Sequence, residues 1–180
     1  MDTSRFLDEI IDWMKTLIIA VIIALILRSF VISPFKVSLT SMYPTLLPDD
    51  LILVEKISMR FSSIKQGEVV VFRAPLGERK DFVKRVIAVP GDKIESREGH
   101  VYVNDKPLEE TYLKQDFSVS IVPQTVKQGE YFVMGDNRDN SLDSRNFGAI
   151  KAANIKGRVI LVFWPWFRWQ VLAYNRSSEH

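Results

Sequence analysis

From Leu17 to Leu27 the chain is an unbroken aliphatic run, and Phe30, Val31 and Ile32 extend it past Arg28 and Ser29. The stretch 16–32 reaches the lower edge of the roughly 17–25 apolar residues needed to cross the hydrocarbon core of a bilayer. Trp13 and Lys15 stand at one end, where interfacial anchors belong. Arg28 is placed to snorkel at the other. Ahead of the run, Asp8, Glu9 and Asp12 alternate with Phe6, Leu7, Ile10 and Ile11. Residues 1–15 therefore read as a short amphipathic segment leading into a transmembrane anchor over 16–32. A cleaved secretory signal would have a shorter apolar region ending in small residues, whereas here Ser33-Pro34-Phe35-Lys36-Val37 follows. A buried core helix is the other competitor. Charge does not set an orientation, because Arg5 and Lys15 before the run are balanced by Arg28 and Lys36 after it.

Beyond Pro34 the helical period disappears. Short apolar runs follow one another: Leu51 to Val54, Val69 to Phe72, Phe82 to Val89, His100 to Val103, Tyr131 to Met134 and Arg158 to Phe163. Each is bounded by Gly, Pro, Asp or Asn, the residues of turns. Residues 33–180 are thus expected to form a mostly β domain of one or two curled sheets. Ala149 to Asn154 is the one weak helical candidate. Leu108 to Gln128 carries no clear pattern and is expected to be a flap or small excursion from the main sheet.

Composition narrows the chemistry. The chain has 180 residues, 47% of them hydrophobic and 26% charged, which suits a folded domain rather than disorder. Net charge is +2 and no Lys/Arg-rich run occurs, so nucleic acid is not an expected partner. Cysteine is absent, which removes disulfides, zinc–thiolate sites and Cys nucleophiles together. With His180 at the end of the chain, His100 is the one plausible interior imidazole. A hydrolytic mechanism here would do without a Ser-His-Asp triad, and no metal or cofactor is expected.

Three segments concentrate reactive or polar groups. Ser41 lies in Val37-Ser-Leu-Thr-Ser-Met-Tyr-Pro-Thr-Leu46, an extended or turning segment just past the anchor. Lys84 lies in a strand where Phe82, Lys84 and Val86 share one face and Val83, Arg85 and Ile87 the other. A free lysine amine has a pKa of about 10.4, and burial lowers it by up to about 3–5 units, the shift that lets an amine take a proton from serine near neutral pH. An edge-strand lysine with its amine in water is the ordinary alternative. The third segment, Gly135 to Gly148, is dense in polar groups directly after an apolar strand. A calcium loop is disfavoured there, since Arg138 occupies a would-be ligand position and neither the turn glycine nor the distal Glu is present. Asp143 and Arg145 are spaced to form an ion pair that holds the loop.

In this order the segments resemble the bacterial type I signal peptidases of the short, single-span form. The resemblance rests on Ser41 to Leu46, Gly67 to Arg73, Lys84 to Asp92 and Gly135 to Gly148, together with the N-terminal apolar run. It implies curled antiparallel sheets of the signal-peptidase type and a serine endopeptidase that cuts signal peptides from exported preproteins after a small residue. It further implies Ser41 as nucleophile and Lys84 as general base, with Ser141 orienting the amine and Asp143 and Arg145 supporting the loop. The family's oxyanion hole uses the nucleophile's backbone N–H and a donor two residues earlier. Here that second position is Leu39, which has no hydroxyl, leaving a backbone amide, a displaced hydroxyl on Ser38 or Thr40, or no second donor. Phe35, Val37, Met42 and Leu46 match positions that wall the substrate pocket, and ordinary core is their competing role. An extended substrate would add as a strand beside Phe35 to Ser38 and Phe82 to Val86.

The remaining partner is the lipid bilayer. Phe163-Trp-Pro-Trp-Phe-Arg-Trp169 carries five aromatics, an interfacial composition when exposed. The resemblance implies a single-pass protein of the cell membrane with its catalytic domain on the extracytoplasmic side. Two other classes compete. A self-cleaving Ser/Lys repressor domain would need a DNA-binding segment where the apolar run stands. A non-enzymatic anchored β module would leave Ser41 and Lys84 incidental. The SxxK spacings at Ser33–Lys36 and Ser62–Lys65 lack their partner motifs.

Overall fold

The computed structural model describes residues 3–26, 32–75, 77, 80–114 and 117–172. Helix α1 (Thr3–Ile26) runs through the amphipathic stretch and on into the aliphatic run without a break. Its side chains from 9 to 25 are all exposed, including Leu17, Ile18, Ile22 and Leu25. Among the described residues no helix is long and apolar enough to cross a membrane. Of the expected anchor, 16–26 are helical and 27–31 lie outside the described residues. Ile32 begins strand β1 (Ile32–Lys36), so the far boundary drawn at residue 32 is corrected inward. The reason is pairing: Ile32 lies opposite Glu55 in an antiparallel ladder.

The rest is built on two antiparallel sheets. The larger uses β1, β2 (Leu51–Glu55), β3 (Val69–Arg73), β4 (Asp81–Ala88), β9 (Glu130–Met134), β10 (Ile150–Lys151), β11 (Ile155–Trp164) and β12 (Gln170–Val171). Its order is β1-β2-β11-β3-β4-β9-β10, with β12 paired to β11. The smaller sheet is β7-β6-β5-β8, from β7 (Lys106–Pro107), β6 (His100–Val103), β5 (Lys93–Arg97) and β8 (Gln124–Thr125). Positions 69–72 of β3 are buried throughout, as an unalternating Val-Val-Val-Phe run suits a strand covered on both faces. β2 alternates, burying Ile52 and Val54.

Three apolar clusters hold the sheets. One joins Val37, Met42 and Leu46 to Ile52, Val54, Val69 and Val159. The second centres on Phe72, Val86, Val133 and Ile150. The third packs the small sheet through Ile94, Val101 and Val103 against Ile87, Phe132 and Met134. The helix expected over Ala149 to Asn154 does not form as such. Ile150 and Lys151 pair with Tyr131 and Glu130, and only a 3-10 turn, Ala152–Asn154, follows. Among its described residues the excursion over 108–128 is mostly irregular and returns as β8 on the edge of the small sheet.

Candidate active site

β4 lies inside the large sheet, paired with β3 on one side and β9 on the other. Lys84 sits opposite Val70 in that ladder and is only 3% exposed, with its amine 5.3 Å from the centre of the Phe82 ring. Lys84 Nζ donates to Ser41 Oγ at 2.6 Å. Burial lowers the amine's pKa from its ordinary 10.5 to about 8. The Asp143 and Asp136 carboxylates pull it back up, and the Arg145 guanidinium adds slightly to the lowering. Desolvation of the ammonium outweighs both acids because water is excluded from its surroundings.

Ser41 is carried on a turn anchored by burial of Met42 and Leu46, with Leu46 N donating to Met42 O at 2.9 Å. The polar loop beginning at Gly135 grips this turn. Asn137 N donates to Ser41 O at 3.0 Å, Asn137 Nδ2 to Thr40 O at 3.1 Å, and Asn140 Nδ2 to Thr40 Oγ1 at 3.2 Å. A Cβ at Gly135 would collide with the Ser41 carbonyl and the Ser141 side chain, so glycine is what lets the two segments close.

Asp143 caps the short helix α2 (Ser144–Phe147) through a capping box with Asn146. Its carboxylate also accepts from Gly135 N at 3.0 Å and from Arg145 Nε at 2.8 Å and Nη2 at 2.9 Å. Burial alone would raise this carboxyl's pKa. The Arg145 and Gly135 hydrogen bonds and the neighbouring Ser141 hydroxyl prevail and hold it below the usual range. Ser141 Oγ is buried near that carboxylate without reaching hydrogen-bond geometry to it, to Lys84 or to any other described group.

The expected wall residues are not equally placed. Val37, Met42 and Leu46 are sealed in the core, and Phe35 is half-buried at its margin. Leu39 is exposed. The expected docking edge on β4 is shorter than Phe82 to Val86. Arg85 and Val86 already pair with Met134 and Val133 of β9, while 81–84 pair, among the described residues, with β3 alone.

Behind Lys84 lies a network that the motifs did not indicate. Arg85 Nε and Nη2 bind Asp136 at 2.9 and 2.7 Å, and Arg85 Nη1 donates to Gly67 O at 2.8 Å. Thr45 Oγ1 donates to the same Asp136. Strand alternation places Arg85 away from Lys84, and a buried guanidinium needs an acid, which was the available signal for Asp136. Glu110 and Tyr112, from the unpatterned excursion, had no such signal. A cleft of about 1060 Å³ opens between the excursion and Arg85, and neither Ser41 nor Lys84 is among its walls. Among the described residues no His, Cys, Asp and Glu cluster could hold a metal ion.

Comparison with known proteins gives one consistent result. The sequence profile of the family described as "Signal peptidase, peptidase S26" matches residues 10–164. A "Probable signal peptidase I-2" of Synechocystis is 39% identical, covering 92% of this chain and 78% of that protein. "Signal peptidase IB" of Staphylococcus aureus strain MRSA252 is 34% identical over 96% of this chain and 97% of its own. A crystallised signal peptidase I from Enterococcus faecalis V583 is 32% identical, with a TM-score of 0.47 over 54% of this chain and 97% of that one. On a profile match spanning most of its length and relatives aligned nearly end to end, the chain belongs to the signal peptidase family, peptidase S26.

Proposed function

We propose that this protein is a membrane-anchored endopeptidase in which Ser41 is the nucleophile and Lys84 the general base. Family membership makes it a serine protease whose substrates are signal-peptide-bearing preproteins. The observation that carries the finer reading is the 2.6 Å contact between Ser41 Oγ and a lysine amine that burial has made abnormally acidic. A neutral Lys84 accepts the Ser41 proton as Oγ attacks the scissile carbonyl. The resulting ammonium returns that proton to the leaving amine. Deacylation repeats the transfer with water as nucleophile.

The oxyanion donors in this reading are the Ser41 backbone N–H and one group near Leu39. Thr40 Oγ1 accepts from Asn140 and keeps its own proton to donate, and Ser38 and the Leu39 backbone are the alternatives. The substrate lies extended between the outer edge of β1 and the β4 segment 81–84. Phe35 borders its pocket, while Val37, Met42 and Leu46 fill the space beneath. A floor already filled leaves depth for small side chains only. The Asp143–Arg145 pair holds the loop beside the amine in place.

The anchored placement is supported by two exposed apolar features, the aliphatic side chains of α1 and the aromatic segment at Trp164, Trp166, Phe167 and Trp169, while the extracytoplasmic side rests on the family resemblance alone. The test uses the full chain in detergent with a preprotein substrate. Cleavage after a small residue is expected, and Ser41→Ala and Lys84→Ala are each expected to reduce it to background while circular dichroism stays unchanged. Retained cleavage in folded Ser41→Ala would sink the reading.

A further inference from the structure

The excursion after β7 contributes two side chains to the region behind the Ser41–Lys84 pair, although it lies outside every motif. Arg138 is buried, and its one carboxylate partner among the described residues is Glu110. Arg138 Nη1 donates to Glu110 Oε2 at 2.9 Å, and Nη2 binds Oε1. Tyr112 OH donates to Glu110 Oε1 at 2.7 Å, and its ring lies 4.0 Å from the Arg85 guanidinium carbon. Burial first, then the Glu110 charge, push the Tyr112 phenol well above its ordinary pKa, so it stays a donor.

Each contact leads to the reacting pair in one or two steps. Arg138 Nε donates to Gly135 O at 3.1 Å, and the Arg138 carbonyl accepts from Arg145 Nη2 at 2.7 Å. The turn so held presents Asn137 to the Ser41 carbonyl. Arg85, under the Tyr112 ring, fixes Asp136, one of the two carboxylates acting on the Lys84 amine. We propose that Glu110 and Tyr112 are positioning residues for the Ser41–Lys84 pair, clamping Arg138 and Arg85 so that the Gly135–Arg138 turn and Asp136 stay in register with it. This rests on the function proposed above. Neither residue touches the reacting atoms; both act through the two arginines.

The clamp is tested on the full chain in detergent, measuring kcat per folded molecule, KM, melting temperature and the pH dependence of kcat. The charges acting on Lys84 are Asp143, Asp136 and Arg145, with Arg85 next along β4. Glu110→Gln frees Arg138 and lets the turn carrying Asp136 move away from Lys84, which weakens a carboxylate that favours the ammonium. Its kcat is expected to fall on the order of 10- to 100-fold with KM little changed, and the midpoint of its pH profile to move to lower pH. Tyr112→Phe keeps the ring and loses the hydroxyl, and a drop of roughly 3- to 10-fold in kcat is expected. For Glu110→Gln, both changes together support the clamp, and the absence of either overturns it. If that variant does not fold, Tyr112→Phe decides. Reduced kcat at unchanged KM then supports the clamp, and wild-type kcat, whatever the melting temperature, overturns it. Activity persisting in Ser41→Ala would instead indict the proposed function.

Discussion

Lys84 is a residue whose folded environment opposes its charge. Its amine is ionised in the unfolded chain up to about pH 10.5, whereas in the folded state it titrates near 8. Between these values the folded protein binds fewer protons, so stability rises with pH across that window. Below about pH 8 the cost of the buried ammonium is present in full. Lys84→Met, similar in shape and uncharged, is therefore expected to be inactive yet more stable at pH 7. The gain is on the order of 3 kcal/mol at most, shrinking as pH rises toward 10.5. Denaturant titration of both proteins at pH 7 and 10 checks this. A variant no more stable at pH 7 would contradict a desolvated ammonium. In the wild type, kcat should climb with pH through about 8. Residue-scale reasoning was productive here because a lysine within two residues of Phe82 and Val86 has apolar neighbours in any strand.

At the scale of elements, the chemistry depends on two irregular segments closing on each other: the turn carrying Ser41 and the loop that leaves β9 at Gly135. Neither is rigid by its own hydrogen-bond ladder. Their geometry comes from cross-links, Asn137 to Ser41 and Thr40 on one side and Gly135 to Asp143 on the other. Gly135→Ala places a methyl against the Ser41 carbonyl and the Ser141 side chain. Since Ser41 contributes backbone to that contact, the turn must shift. A displacement approaching 1 Å costs about 100-fold in rate, so kcat should fall by roughly that factor while the sheets remain intact by circular dichroism. Near wild-type turnover would mean the turn is free to give way. The Asp143–Arg145 pair was legible from spacing. That Arg85 needed an acid was legible from strand alternation, whereas Asp136 as that acid became visible only once β4 and β9 were seen side by side.

For the whole molecule, the exposed aromatic segment and the turn carrying Ser41 are linked. Arg168 Nε binds Asp50 Oδ1 at 3.0 Å, fastening the Trp166–Arg168 turn to the end of the segment that carries Ser41. Trp166 is 74% exposed. Replacing Trp166 and Trp169 together by Ser is expected to leave cleavage of a soluble peptide in detergent unchanged. Cleavage of a preprotein embedded in vesicles should slow by on the order of tenfold. Equal rates in vesicles would remove the aromatic segment from the membrane reading. By itself, the amino-acid sequence determined the helix through the aliphatic run, the short buried strands and a strand lysine with apolar neighbours. These follow from local period and local polarity, which neighbours in the chain supply. Only the tertiary structure decided that 149–154 is strand and 3-10 turn, that β5 and β8 form a second sheet, and that Glu110 meets Arg138. Those outcomes depend on partners distant in the chain, such as Tyr131 opposite Ile150, and no local pattern encodes which distant segment will supply the missing hydrogen bond or countercharge.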